Sequence, residues 1–105
     1  METASTTIIV PVGTRNKPFS IVVSGEDFAG KTLTGRFKKP DGAVITCPAA
    51  VNANDSSKID VTIPAEALDT GGNGYLVVWV DDGAGYVEPT HPPIEFRMEE
   101  TVPLT

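Results

Sequence analysis

The sequence predicts an all-β sandwich of about seven short antiparallel strands, and three observations predict it. Apolar residues recur with period two rather than the ~3.6 of a helix, which marks strands with one buried and one wet face. Turn signals separate these runs at roughly the 8–12-residue spacing of a sandwich or barrel. Ten glycines and nine prolines are dispersed through 105 residues. Helix interiors tolerate neither, whereas many short strands joined by turns need both.

The strands follow in order. Ile8, Val10 and Val12 alternate with Thr7, Ile9 and Pro11. Phe19, Ile21 and Val23 alternate with Ser20, Val22 and Ser24. Leu33, Gly35 and Phe37 face one way while Thr34, Arg36 and Lys38 face the other. Lys39-Pro40-Asp41-Gly42 is a hairpin turn, because proline presets φ and Asp-Gly accepts positive φ; it joins Thr32–Lys38 to Ala43–Cys47. Asn52–Ser57 reads as a loop, and Ile59, Val61 and Ile63 form the next strand face. Pro64–Asp69 is the one helix-like stretch, a turn or two long. Thr70–Gly74 breaks the chain before a strand at Tyr75–Val80, and Asp81–Gly85 is a second hairpin. Pro89, Pro92 and Pro93 interrupt the approach to the last strand, with Ile94, Phe96 and Met98 on one face. Prolines there predict a sheet edge or a switch between sheets. The expected core is Phe19, Ile21, Leu33, Phe37, Ile59, Val61, Ile63, Leu76, Val78, Ile94 and Phe96. Residues 1–105 read as one domain with loose ends at 1–6 and 103–105.

Composition narrows the function classes. A net charge of −6 lacks the basic footprint that nucleic acid or an anionic membrane surface requires. The single cysteine, Cys47, allows no internal disulfide, so packing alone must hold the domain; synthesis in the cytosol is expected. Glu2–Thr7 is small and polar, with no basic or long apolar region, so neither a signal peptide nor a membrane span is expected.

No catalytic constellation emerges, and an enzyme is not expected. Asp81, Asp82 and Glu88 cluster three carboxylates near a hairpin, but a calcium ion needs about six to eight oxygens in a loop pattern this spacing does not match. His91 has no cysteine or second histidine at a zinc spacing and no acid or nucleophile partner. Ser20, Ser24, Ser56 and Ser57 lie outside any nucleophile elbow, and Cys47 reads as a packing residue. Gly71-Gly72-Asn73-Gly74 lacks the lysine of a phosphate loop. No metal or cofactor is expected.

Phe37–Gly42, Ile59–Leu68 and Gly74–Val80 together resemble the immunoglobulin-like domains of bacteriophage structural proteins, notably the N-terminal domain of baseplate upper proteins. Those domains share a strand ending in Pro-Asp-Gly, a strand running into a Pro-Ala helical turn, and a Gly-Tyr strand. The resemblance spans roughly Phe19 to Glu99. It implies an immunoglobulin-like sandwich in a virion component, made in the host cytoplasm, that contacts other virion proteins or copies of itself. The chain departs from the family in showing no receptor-binding or coiled-coil region after the domain.

Two aromatic positions admit rival readings. Leu68-Asp69 with Gly74-Tyr75 looks like a tyrosine corner, which would bury Tyr75 as an architectural residue. Trp79 reads as a core residue. The rival reading takes the whole strand: Tyr75, Val77 and Trp79 form one face, Leu76, Val78 and Val80 the other, and neither is polar. A strand apolar on both faces needs cover on both, from a partner or from the chain's own terminus. Thr6–Val12 is also strongly β-forming and can add to a neighbouring sheet. The candidate interaction residues are therefore Ile8, Ile9, Val10, Tyr75, Val77 and Trp79. The alternative function is a carbohydrate-binding module built on Tyr75, Trp79 and Tyr86.

Overall fold

The computed structural model describes residues 7–102; the predicted loose ends at 1–6 and 103–105, and Thr6 of the N-terminal run, lie outside the described residues. Among the described residues nine strands form where about seven are expected: β1 (Ile8–Pro11), β2 (Lys17–Val22), β3 (Thr32–Lys38), β4 (Val44–Cys47), β5 (Ala49–Asn52), β6 (Asp55–Ile63), β7 (Gly72–Asp81), β8 (Val87–Pro89) and β9 (Ile94–Glu99). The additional ones are β5 and β8, short segments without clear alternation. The predicted helix-like stretch is a single 3-10 turn at Ala65–Ala67.

The chain is all-β, and its strands make two sheets. The larger has the order β1-β9-β7-β3-β4, with β8 added to β7. The smaller has the order β2-β6-β5. All pairings are antiparallel except that of β1 with β9, so the expectation of wholly antiparallel strands needs that one correction. A second correction concerns the proline-rich approach to β9. Pro89 does lie in the edge strand β8, but Pro92 and Pro93 carry the chain between two neighbours of β7 in the same sheet. The chain changes sheets at Pro48, between β4 and β5. Proline needs no donor partner there, and its carbonyl accepts from Thr62 N at 3.0 Å, tying the crossing to β6.

Inward-facing residues of both sheets meet in one core. Phe37, Ile59, Ile63, Leu76, Val78 and Phe96 are fully buried. Phe19 and Ile94 are half-buried against this core rather than within it. Phe96 receives Phe19 edge-on at 5.2 Å and Phe37 at 5.6 Å, which fastens the sheets together. Gly74 makes room for this cluster: a Cβ there would stand 2.5 Å from the Phe37 ring and 2.8 Å from the Lys38 carbonyl. Phe28 plugs one end of the sandwich from an otherwise polar loop, its N–H bonded to the Ser56 carbonyl at 2.8 Å. Ala67 and Leu68 close the other end, where the Leu68 carbonyl accepts from Gly13 N at 3.0 Å. Ile21, Leu33 and Val61, together with Cys47, Val10, Val80 and Met98, complete the core.

The Lys39–Gly42 hairpin forms as its residues dictate. Gly42 N donates to the Lys39 carbonyl at 2.9 Å, Lys39 N to the Ala43 carbonyl at 2.8 Å, and Gly42 adopts φ +94°. This is a turn through Pro40-Asp41 followed by a left-handed glycine, the three-residue hairpin geometry. The predicted Asn52–Ser57 loop is tighter than expected, since β6 already begins at Asp55.

Candidate functional site

The site lies on the outer face of the larger sheet, and β7 places it there. Alternation along β7 sends Leu76, Val78 and Val80 into the core and Tyr75, Val77 and Trp79 outward. Tyr75 is 41% and Trp79 40% exposed, with Val77 half-buried between them. Both architectural readings of these aromatics are therefore corrected. Trp79 is not core: the opposite face of β7, Leu76, Val78 and Val80, is the buried one. Tyr75 is no tyrosine corner: its hydroxyl reaches sideways to Glu95 Oε2 at 3.4 Å rather than back to upstream backbone.

Register sets the neighbours of this stripe. Lys38 stands opposite Tyr75, Arg36 opposite Val77 and Thr34 opposite Trp79. One strand further, Val44 stands opposite Lys38, and it is exposed. On the other flank Pro89 pairs with Trp79. The result is a shallow groove of roughly 420 Å³ lined by Arg36, Lys38, Val44, Tyr75, Val77, Trp79 and Pro93. It continues into a second hollow of roughly 480 Å³ bounded by Val77, Trp79, Thr90, His91 and Pro89, Pro92 and Pro93.

The proline wall is held by backbone capture. Between Leu76, which pairs with β9, and Trp79, which pairs with β8, Val78 lacks a ladder partner on that side. Thr90 fills the gap, its N and its Oγ1 each donating to the Val78 carbonyl at 2.9 Å. His91 completes it: Val78 N donates to Nε2 at 3.3 Å, while Nδ1 lies 2.7 Å from the Pro92 carbonyl. The tautomer these partners require carries its proton on Nδ1.

The groove's charge differs from that of the molecule. Arg36 and Lys38 line it and no carboxylate does. Among the described residues neither cation forms a salt bridge; the pairs present are Lys39–Asp69 and Arg97–Glu99. Arg36 Nη1 donates instead to Thr46 Oγ1 at 3.0 Å. Glu95 borders the far side of Tyr75, where it accepts from Thr7 Oγ1 at 2.5 Å and Asn73 Nδ2 at 3.0 Å.

The N-terminal candidates do not join this face. Val10 is 1% exposed and belongs to the core, and Ile8 leans on it. Parallel pairing with β9 places Ile8 opposite Phe96 and Val10 opposite Met98, so both turn inward. Ile9 alone points out, 56% exposed, and the charged outer row of β9, Glu95, Arg97 and Glu99, separates it from the groove. Sequence reasoning missed Arg36, Lys38, Val44 and the Thr90–Pro93 wall as site residues. The outward alternation of Arg36 and Lys38 was readable, but only the β3–β7 register sets them beside Trp79 and Tyr75.

The acidic hairpin uses its carboxylates locally. Asp81 Oδ1 accepts from Gly83 N at 2.8 Å, and Asp82 Oδ1 from Ala84 N at 2.7 Å and Tyr86 N at 3.2 Å. Among the described residues no three metal-ligating side chains converge. Tyr86 bonds Glu88 through its hydroxyl, which pushes its pKa above the usual tyrosine value. No protein-family model matches the chain, and no curated protein proves significantly similar to it.

Proposed function

We propose that this chain is an immunoglobulin-like structural module of a bacteriophage particle, in the head decoration, the connector or the tail and baseplate, that works by protein–protein contact and not by catalysis. The observation that carries the contact reading is the apolar, cation-flanked stripe of Tyr75, Val77 and Trp79, left uncovered on a sheet whose other face is core. The strand order supports the immunoglobulin-like reading. β2-β6-β5 opposes β9-β7-β3-β4 as strands B, E and D oppose G, F, C and C′ in such domains. The virion role follows from the motifs at Phe37–Gly42, Ile59–Leu68 and Gly74–Val80. Both His91 ring nitrogens face backbone groups, which supports a non-catalytic role for the one histidine.

Mass spectrometry of gradient-purified particles, from cells that make both particle and chain, tests this reading. The chain is expected at a fixed ratio to the other particle proteins, and folded Trp79→Ala is expected to drop out. A chain absent from particles overturns the reading.

A second reading, a carbohydrate-binding module, is favoured by one observation: Tyr75, Trp79 and Tyr86 are all exposed. Glycan-array binding that disappears in Trp79→Ala would establish it over the first.

A further inference from the structure

We infer that the occupant of the groove is the β7–β8 hairpin of a second copy of this chain, in a head-to-tail contact. The inference rests on the docking reading of this face and names its partner.

Two patches on the molecule complement each other. The groove offers exposed Val44, Tyr75 and Trp79 with Arg36 and Lys38 in its lining, the nearest carboxylate being Glu95 on the far side of Tyr75, in a chain of net charge −6. The hairpin offers the opposite set: Tyr86 is 57% and Val87 52% exposed, beside Asp81, Asp82 and Glu88. All three residues of β8 are exposed, and among the described residues its one partner is β7, which leaves the outer edge of the arm unpaired by them. Apolar side chains in the middle of a patch with charges of one sign around them meet their match in apolar side chains ringed by the other sign. The base of the hairpin, Trp79 and Pro89, borders the groove, while its exposed tip at Asp82–Val87 lies beyond Trp79 along β7 and lines neither hollow. Contact between unlike patches is heterologous, and it extends to rings or filaments rather than stopping at a symmetric dimer.

Sedimentation velocity across a concentration series tests this, with circular dichroism to confirm that each variant folds. The natural chain is expected to grow beyond the 11.1 kDa monomer as concentration rises. Arg36→Glu with Lys38→Glu reverses the groove, and Tyr86→Ser with Val87→Asp strips the hairpin of its apolar tip without making it complementary to the reversed groove. None of these four side chains donates to or accepts from a turn backbone, and all four are exposed. Each double variant alone is expected to associate at least about tenfold more weakly. Mixed at equal ratio, the two are expected to form a heterodimer and stop there, because one intact hairpin meets one intact groove. A natural chain that stays monomeric, or association that survives in both variants, overturns the inference. A monomeric chain whose Trp79→Ala form still fails to enter particles removes the second copy as occupant and leaves the docking face standing. Unchanged incorporation of Trp79→Ala removes the docking face itself.

Discussion

Phe37 shows how much of the fold rests on single side chains. It is fully buried, meets Phe96 edge-on and is accommodated by the missing side chain of Gly74. Phe37→Ala is expected to cost about 3–5 kcal/mol in urea unfolding, and a cost under about 1 kcal/mol contradicts this packing. Cys47 gives a second check at this scale. Burial pushes its thiol up to about 11, with the nearby Glu66 carboxylate adding to the effect. The thiolate is the reacting species, so a thiol reagent at neutral pH is expected to modify Cys47 only as fast as the chain unfolds. Rapid labelling of the native protein contradicts its place in the core. Phe37 and its neighbours were legible in the sequence because strict alternation names the inward face. Phe28 was not, since the loop around it is polar and carries no period. Trp79 and Tyr75 kept two readings each because β7 is apolar on both faces, and periodicity cannot choose between two apolar faces; the structure turns Leu76 and Val78 inward, as the expected core has them, and leaves the two aromatics on the outer face.

At the scale of elements, short-range chemistry decided what could be read. Lys39-Pro40-Asp41-Gly42 encodes its own hairpin, and β3 forms over the expected Thr32–Lys38. β5 and β8 were invisible because Ala49–Asn52 and Val87–Pro89 lack alternation, and they exist through the partners they add to. The turns between elements are pinned by aspartates, and this makes stability depend on pH. Asp27 is held below the usual carboxylate range by the Ala29 amide, then by the Ser56 side chain. Asp55 is lowered by the Ser57 hydroxyl and amide, and Asp69 by Lys39, 2.7 Å away, and Thr70. A carboxylate whose pKa is lower folded than unfolded stabilises fully above its unfolded value, near 4, and loses that contribution as pH falls through the folded one. The urea midpoint is therefore expected to hold between about pH 7 and 5 and to fall below about 4. Asp55→Asn keeps an acceptor but cannot titrate, so it is expected to flatten part of that fall. A midpoint unchanged down to about pH 2.5 contradicts the role given to these turns.

At the scale of the whole molecule, the two-sheet architecture was legible, while its closure along one edge was not. Pattern alone marks Thr7–Val12 as a strand, and it does not say that the strand runs parallel to β9, nor that this turns Val10 inward and leaves Ile9 out. That pairing makes the first strand part of the core instead of a free docking edge. Ile8 lies beside Phe96 and Val10 beside Met98, Val12 N donates to the Glu99 carbonyl at 2.8 Å, and Gly13 N ties the following turn to Leu68. A chain beginning at Gly13 loses all four contacts except the last, strips the edge of β9 and uncovers Met98 and Phe96. Small domains hold only about 5–15 kcal/mol in total, and a buried valine with its ladder hydrogen bonds is a large share of that. The shortened chain is expected to be unfolded, or to melt far below the full one, by circular dichroism. Adding a peptide of residues 1–12 is expected to restore part of the loss, since it binds only the folded state. A shortened chain that melts with the full one would place Ile8 and Val10 back on the surface and return the first strand to the list of docking edges.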